Sequence, residues 1–252
     1  MHPYLTHAGP IAFAHRGGGL EAPENSLAAF ANAVSLGYRY IETDVQRTAD
    51  GRLIIFHDDV LDHLTDGQGR VSDLPWAIVS QARIAGREPI PLLDEVLERW
   101  PGLHFNIDPK SDAAALALAD ALEKHGALGR VCVGSFSGQR LNRLRRRLGP
   151  NLCSSAGPME VARIWSAANG LPLGRPKADC LQVPVHHHGI PIITPRFIAS
   201  AHRRGLPVHV WTVDEATEME RLLDLGVDGL ITDRPTLLRD ILRRRGLWPA
   251  YS

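Results

Sequence analysis

Three short polar segments near the start of the chain carry side chains that suit phosphoryl transfer assisted by a divalent cation. They are His15-Arg16-Gly17, Glu42-Thr43-Asp44 and His57-Asp58, and each follows a short apolar run. Carboxylates are oxygen ligands for a hard cation, and an arginine supplies a fixed positive charge. The two imidazoles can exchange protons near neutral pH. The segments therefore hold the side chains that this chemistry requires.

A turn signal indicates how two of these segments meet. Asp50-Gly51 stands between two strand-like runs and predicts a β-hairpin with a two-residue loop. That register places His57 opposite Asp44, with β-carbons about 4.5–5.5 Å apart. Glu42 lies two positions before Asp44 and shares its face of the strand. A three-residue loop or a bulge would break this register.

Strand-like and helix-like patterns alternate along the chain. With Leu53–His57 set aside as the return strand of the hairpin, eight strands remain, each followed by a helix. This pattern predicts a single domain over residues 1–252, folded as a (β/α)₈ TIM barrel with a β-hairpin after strand two and a small insertion at about residues 58–91. The eight predicted strands are Ile11–Ala14, Tyr40–Gln46, Leu103–Asp108, Val131–Ser135, Asn151–Ser154, Asp179–Val183, Pro207–Val213 and Gly229–Thr232.

The barrel prediction gathers the polar residues on one rim. The carboxyl ends of all barrel strands open onto the same face, where barrel enzymes carry their active sites. So many charges on one rim would be costly without a function. The side chains expected there are His15, Arg16, Glu42, Asp44, His57, Asp108 and Lys110.

The ordered set of motifs resembles that of the glycerophosphodiester phosphodiesterase family. The resemblance extends from about residue 11 to residue 236 and implies metal-dependent hydrolysis of glycerophosphodiesters to glycerol 3-phosphate and an alcohol. The matching segments are His15-Arg16-Gly17, Pro23-Glu24-Asn25-Ser26, Glu42-Thr43-Asp44, His57-Asp58, Asn106-Ile107-Asp108-Pro109-Lys110, Ser135-Phe136, Trp211-Thr212-Val213 and Gly226 to Asp233.

The resemblance also implies a role for each matching site residue. One divalent cation, Mg²⁺, Ca²⁺ or Mn²⁺, would be bound by Glu42, Asp44 and Asp108. The general acid and general base would be His15 and His57; the resemblance leaves open which is which, and the orientation of His57 by its hairpin favours it as the base. The substrate phosphate would be contacted by Arg16 and Lys110, and the alcohol side of the pocket would be lined by Trp211. Asp108 departs from the family pattern, which usually has the longer glutamate at this position.

Composition excludes several partners. The formal net charge is +0, which gives no indication of a nucleic-acid partner, and no apolar run approaches the ~20 residues of a membrane span. We therefore expect a cytoplasmic enzyme with a small-molecule substrate and no stable membrane insertion, its oligomeric state open. Cys132, Cys153 and Cys180 are expected to be buried reduced thiols. The arginine-rich residues 140–147 predict an amphipathic helix whose basic face is solvated or contacts anionic lipid.

Three other functions stay open at this point. The first is a lysophospholipase D acting on longer lysophospholipids, which an exposed apolar wall in the insertion, residues 61–90, would favour. The second is a metal-dependent barrel enzyme that abstracts a proton beside a carbonyl, and the third is an inactive phosphate-binding module. His186-His187-His188 is interpreted as a solvated loop, with a second metal site or a substrate wall as the alternatives.

Overall fold

Eight parallel strands form the centre of the protein. The computed structural model describes residues 2–171 and 174–248. The barrel strands are β1 (Ile11–His15), β2 (Tyr40–Arg47), β3 (His104–Pro109), β4 (Val131–Val133), β5 (Cys153–Ser154), β6 (Leu181–Pro184), β7 (Val208–Trp211) and β8 (Gly229–Thr232). They pair in the order β5-β4-β3-β2-β1-β8-β7-β6, and an isolated parallel bridge between Ser155 and Cys180 joins the two ends. The predicted (β/α)₈ barrel is confirmed.

One helix of the barrel follows each strand before the next one begins. The helices are α1 (Leu27–Ser35), α2 (Leu93–Arg99), α3 (Asp112–Lys124), α4 (Gly138–Leu148), α5 (Pro158–Ala168), α6 (Pro195–His202), α7 (Ala216–Asp224) and α8 (Pro235–Arg244). Helix α1 begins directly after Ser26, its N-cap residue. Asn25 has a positive φ of 55° and Ser26 caps the helix by accepting a hydrogen bond from Ala29 N.

Successive residues of each barrel strand face opposite sides, which separates two packing layers. Outward residues such as Ile41 and Phe105 pack in the main core, among residues of the surrounding helices. Inward residues at the amino end of the barrel form a second cluster that includes Phe13 and Tyr40. The three free cysteines, Cys132, Cys153 and Cys180, lie buried in this second cluster.

The hairpin after β2 has a different register from the predicted one. Arg47 pairs with Leu53, so the loop is one residue longer and Asp44 lies opposite Phe56, whose N–H donates to the Asp44 carbonyl at 3.1 Å. Thr48 decides this register: its Oγ1 accepts a hydrogen bond from Arg52 N at 2.9 Å. Gly51 then takes a positive φ of 92°, as a three-residue hairpin loop requires. The prediction of His57 opposite Asp44 was therefore wrong.

The segment between the hairpin and α2 builds a small core of its own. It contains the short helix Trp76–Val79 and the two-stranded pair Arg83–Ile84 and Glu88–Pro89. Leu61 and Val79 are 1% and 0% exposed, and Ile78 is the large apolar side chain of this segment that remains exposed. The segment is therefore not an exposed apolar wall, the feature that would have favoured a longer lipid substrate.

The basic face of α4 is neutralised by neighbouring helices. Arg140 and Arg143 both form ion pairs with Asp112, and Arg145 pairs with Glu160. Arg147 pairs with Asp120 and Glu123 of α3, while the apolar side of α4 is buried. The helix is thus amphipathic as predicted, but four of its five arginines are engaged within the protein. Within the described ranges, we find no helix with the length and apolarity to cross a membrane.

Candidate active site

Asp44 lies at the centre of the polar cluster at the carboxyl end of the barrel. Its side chain is 2% exposed, with Lys110 Nζ 2.7 Å from Oδ1 and Arg16 Nε 3.1 Å from Oδ2. Burial by itself would raise the pKa of this carboxyl, but the charges of Lys110 and Arg16 outweigh burial and lower it. The charge of a protonated His57 would lower the pKa of Asp44 further. Asp44 is therefore an ionised anchor for two cations.

The loop after β1 holds Arg16 against this anchor. Arg16 has a positive φ of 51°, and its Nη1 donates to Glu24 Oε1 at 2.8 Å. Asn25 supports the same loop because its Nδ2 donates to Asp44 Oδ2 at 3.0 Å and its Oδ1 accepts from Thr43 Oγ1 at 2.7 Å. Gly17 must be glycine here, since a β-carbon would lie 2.7 Å from the Phe30 ring.

Glu42 is a buried carboxylate beside Asp44, and this environment disfavours its ionised form. It is 8% exposed, and burial, followed by the neighbouring charge of Asp44, raises its pKa to about 7. Its Oε2 accepts a hydrogen bond from the Arg16 backbone N–H at 3.3 Å and lies 3.6 Å from His15 Nε2. Glu42 therefore lies close enough to Asp44 for the two negative charges to oppose each other.

Asp108 and Lys110 extend the cluster from β3. Asp108 pairs in register with Asp44 on the neighbouring strand, and Lys110 Nζ lies 2.9 Å from Asp108 Oδ2. Burial raises the pKa of Asp108, although Lys110 opposes this. Burial lowers the pKa of Lys110, but Asp44 and Asp108 outweigh it and raise that pKa. The ammonium group thus bridges two of the three predicted metal ligands.

His15 is held between two carboxylates. Its Nδ1 donates to Asp233 Oδ1 at 2.9 Å, and its Nε2 faces Glu42. Burial by itself would lower the pKa of His15, but Glu42 and Asp233 together raise it to about 9. Asp233 is fixed in turn, because Gly19 N donates to its side chain at 3.2 Å and its own backbone N–H donates to Asp214 at 2.8 Å.

His57 is oriented from outside the carboxylate cluster. Its Nδ1 donates to Asp58 Oδ1 at 2.6 Å, and the other oxygen of Asp58 lies 3.1 Å from Nδ1 of His63. Gln46 Nε2 holds this turn by donating to the carbonyls of His57 and Asp58 at 3.2 Å and 3.0 Å. Among the described residues, His57 Nε2 has no hydrogen-bond partner, so it is available to a ligand.

Two further predicted features lie at the rim. Trp211, at the end of β7, is partly buried and contacts Phe136 edge to face, with ring centroids 5.7 Å apart. Phe136 is 71% exposed, so this aromatic pair faces solvent at the mouth. His186 and His187 are exposed in a small hairpin, in agreement with the solvated-loop interpretation.

The predicted metal ligands do not form a ready-made ion cage. Across residues 2–171 and 174–248, we find no group of three or more His, Cys, Asp or Glu side chains arranged to hold a metal ion. Lys110 accounts for part of this, because its ammonium group lies between Asp44 and Asp108. The donor chemistry nevertheless fits a hard cation, because Asp44 and Asp108 share Lys110 and the charge of Asp44 acts on Glu42.

Comparison with known proteins identifies the family. The sequence model described as "Glycerophosphoryl diester phosphodiesterase family" matches residues 15–237, which is most of the chain. The chain belongs to this family. A Mycobacterium tuberculosis protein named "Probable glycerophosphodiester phosphodiesterase 2" is 42% identical, over 97% of this chain and 95% of that protein. A glycerophosphodiester phosphodiesterase of Caldanaerobacter subterraneus subsp. tengcongensis is 32% identical, over 94% of this chain and 99% of its relative.

Solved structures of glycerophosphodiester phosphodiesterases share the fold. A phosphodiesterase from Oleispira antarctica, determined in complex with the product sn-glycerol 3-phosphate, superposes with a TM-score of 0.78 at 23% identity over 93% of this chain and 97% of that one. The family membership and its relatives show that this protein is a glycerophosphodiester phosphodiesterase, a phosphoric diester hydrolase.

The sequence-based interpretation missed three residues that support the site. Asp233 partners His15, Asn25 binds Asp44, and Asp214 fixes the loop that carries Asp233. Each lies within or beside a segment that resembles the family, so a signal was present. Their roles depend on contacts between strands that are distant in sequence, and those contacts are visible only in the folded chain.

Proposed function

We propose that this enzyme hydrolyses glycerophosphodiesters to glycerol 3-phosphate and an alcohol with a divalent cation, using His57 as general base and His15 as general acid. One observation carries the proposal: the two histidines differ in their surroundings. His15 lies between two carboxylates that favour its protonated form, whereas His57 has a carboxylate on one nitrogen and an open second nitrogen.

Glu42, Asp44 and Asp108 are the residues that would hold the cation. Their oxygen donors favour Mg²⁺, Ca²⁺ or Mn²⁺ over softer metals. When bound, such an ion would withdraw charge from the non-bridging oxygens of the phosphate. It would compete with Lys110 Nζ for the oxygens of Asp44 and Asp108, which lie 2.7 Å and 2.9 Å from that ammonium group.

Arg16 and Lys110 would contact the phosphate of the substrate. Both cations are anchored by buried or half-buried carboxylates, so they stand in fixed positions before the substrate arrives. Nη1 of Arg16 is engaged by Glu24, while its Nη2 makes no hydrogen bond to the described residues. Positive charge that is fixed beforehand stabilises charge that develops in the transition state at little cost of reorganisation.

The histidines would move the protons. The hydrogen bond to Asp58 keeps the proton of neutral His57 on Nδ1, so Nε2 is the basic atom that takes a proton from the nucleophile. His15 carries a proton on Nε2 near neutral pH and can donate it to the leaving alkoxide, since its pKa is raised to about 9. The nucleophile is either water or the 2-hydroxyl group of the glycerol part.

Activity measurements with defined metals test this proposal. The purified enzyme, stripped with a chelator, is assayed on glycerophosphocholine, glycerophosphoethanolamine and glycerophosphoglycerol with Mg²⁺, Ca²⁺ or Mn²⁺ added back. We expect hydrolysis that depends on added cation and releases glycerol 3-phosphate. Full activity in the chelated enzyme would contradict metal dependence, and the absence of hydrolysis in every combination would overturn the proposed reaction.

A lysophospholipase D activity is the second candidate. A mouse relative that is 26% identical over 90% of this chain is named lysophospholipase D. Leu20 and Phe136 are 61% and 71% exposed and could meet an acyl chain. The buried apolar residues of the segment after the hairpin argue against a long lipid groove, so we favour the short substrate. A higher kcat/KM for lysophosphatidylcholine than for glycerophosphocholine would reverse this order.

A further inference from the structure

Two amide side chains inside the barrel each carry a buried polar atom without a hydrogen-bond partner among the described residues. Asn106 is 5% exposed, and its Oδ1 accepts no hydrogen bond from the described residues. The buried Nε2 of Gln182 likewise donates none to any described residue. Buried polar groups are nearly always paired, and an unpaired one is costly. We therefore expect these two atoms to form hydrogen bonds with a molecule that is not part of the chain.

The two amides meet at one point beside the carboxylate cluster. Asn106 pairs in register with Glu42 and stands two residues before Asp108. Gly134 N donates to the Ile107 carbonyl at 3.1 Å, which places Gly134 beside the same stretch of β3. A β-carbon on Gly134 would lie 3.2 Å from Gln182 Oε1 and 4.0 Å from Asn106 Oδ1.

Ser155 reaches the same point from the end of β5. Its Oγ would lie 3.5 Å from the same β-carbon position, so three polar side chains face one point. We call Asn106, Gly134, Ser155 and Gln182 the amide cradle. Gly134 does not have a positive φ, so its backbone does not require glycine. What the glycine provides is the missing side chain, because a β-carbon would crowd Gln182 Oε1 at 3.2 Å.

We propose that the amide cradle binds the free hydroxyl groups of the glycerol part of the substrate. A hydroxyl group both donates and accepts, so one hydroxyl can donate to Asn106 Oδ1 and another can accept from Gln182 Nε2, which belongs to the same amide group as the Oε1 that faces Gly134. The cradle adjoins Glu42 and Asp108, so a phosphate held at the carboxylate cluster would place an attached glycerol within reach. This proposal rests on the proposed function and names the part of the substrate that the enzyme selects.

Discrimination by the cradle follows from its chemistry. A site that hydrogen-bonds a substrate hydroxyl rejects an analogue without it, because the polar groups of the site are then left unpaired. A phosphodiester without glycerol should therefore be a poor substrate compared with glycerophosphocholine. Ordered water could also satisfy the amides, and in that case removal of the amides would change stability without changing substrate choice.

Two variants test the cradle by different means. Gly134→Ala keeps both amides but adds a methyl group at the point where they meet, and Gln182→Met removes the amide at similar length. For each variant, kcat and KM are measured on glycerophosphocholine and on bis(4-nitrophenyl) phosphate, which lacks glycerol. We expect the ratio of the two kcat/KM values to fall by about 10- to 100-fold in both variants.

The control variant is Cys153→Ala, which changes an inward residue of β5 in the buried cluster at the amino end of the barrel. It should leave the kcat/KM ratio within about twofold of the wild type. Titration of glycerol 3-phosphate and of inorganic phosphate provides a second readout, and only the affinity for glycerol 3-phosphate should weaken in the cradle variants.

The outcomes separate the two proposals. Equal losses on both substrates, or a lower melting temperature with an unchanged ratio, would show a structural role or a bound water only, and would overturn the cradle assignment. Failure of the wild-type enzyme to hydrolyse any phosphodiester would instead overturn the proposed function.

Discussion

The two histidines of the site are partnered in opposite ways. His15 stands inside the cluster between Glu42 and Asp233, and its side chain is 18% exposed. His57 stands at the edge, 34% exposed, and its carboxylate partner Asp58 is shared with a second, largely exposed histidine, His63. One imidazole is thus stabilised as a cation by buried charge, while the other is mainly oriented by a hydrogen bond.

Under the proposed mechanism, this difference would prepare an acid and a base from the same residue type. Two carboxylates raise the pKa of His15 to about 9, so it holds a proton at neutral pH. A single carboxylate that fixes Nδ1 of His57 leaves the other nitrogen to accept a proton. The assignment of His15 as acid and His57 as base rests on this contrast, and the following measurements challenge it.

The largest effect is expected from removal of either imidazole. His57→Ala should reduce kcat by about 10²- to 10⁴-fold, because proton transfer by a positioned group is lost. His15→Ala should cause a loss of similar size, but a substrate with a better leaving group, such as a 4-nitrophenyl phosphodiester, should restore activity only in the His15 variant. Metal binding, measured by titration calorimetry, should stay nearly intact in His57→Ala. Wild-type turnover in either variant would remove that histidine from the mechanism.

Removal of the carboxylate partner of either histidine should reduce activity less than removal of the histidine. The reduction should differ between Asp233, the partner of His15, and Asp58, the partner of His57. Asp233→Asn should lower kcat/KM by on the order of 100-fold, and Asp58→Asn by on the order of 10-fold. Asp233 supplies charge that keeps His15 protonated, whereas Asp58 mainly fixes a tautomer. The pH profile distinguishes them, since only Asp233→Asn should move the alkaline limb to lower pH. Identical losses and identical profiles would contradict the contrast between the histidines.

The charge of His15 should also make stability depend on pH. Its folded pKa of about 9 lies above the unfolded value near 6.5, so its contribution is fully present below about pH 6.5 and is lost as the pH rises through 9. In metal-free protein, the difference in unfolding free energy between wild type and His15→Gln should shrink by about 1–2 kcal/mol from pH 6 to pH 10. Urea unfolding of both proteins in the presence of a chelator measures this difference in unfolding free energy. A constant difference across this range would show that the two carboxylates do not charge His15.

The smallest effect is expected from His63. Its side chain is 71% exposed, and exposed pairs contribute little, so His63→Ala should change kcat by less than about threefold. His202→Ala serves as a matched control, because His202 also pairs with a carboxylate on the surface, away from the site. A tenfold loss in His63→Ala alone would show that the shared carboxylate controls His57 more strongly than the contrast implies.

Much of the fold was predictable because its signals are local. Alternation of apolar strands with amphipathic helices predicted all eight units, and the parallel arrangement predicted that their carboxyl ends share one rim. The hairpin register was not predictable from Asp50-Gly51, since a hydrogen bond from Arg52 N to the Thr48 hydroxyl selects the longer loop. This one side-chain contact accompanies the shift that places Phe56, and not His57, opposite Asp44.

The pairing of His15 with Asp233 illustrates what the sequence by itself left open. The two residues are 218 positions apart, and they meet because β1 and β8 lie side by side when the barrel closes. The ion pairs of α4 follow the same rule, since Asp112 and Glu160 of neighbouring helices bind Arg140 and Arg145. Charge interactions act through space and not along the chain.

The sequence alone determined the residue types of the site, the strands that carry them and the family to which the chain belongs. Those properties depend on local periodicity, turn chemistry and ordered motifs, which involve residues close together along the chain. The tertiary structure decided the partner of each histidine, the burial that raises the pKa of Glu42 to about 7, and the convergence of three polar side chains on Gly134. These properties depend on distance and on exclusion of water, which exist only once the barrel has closed.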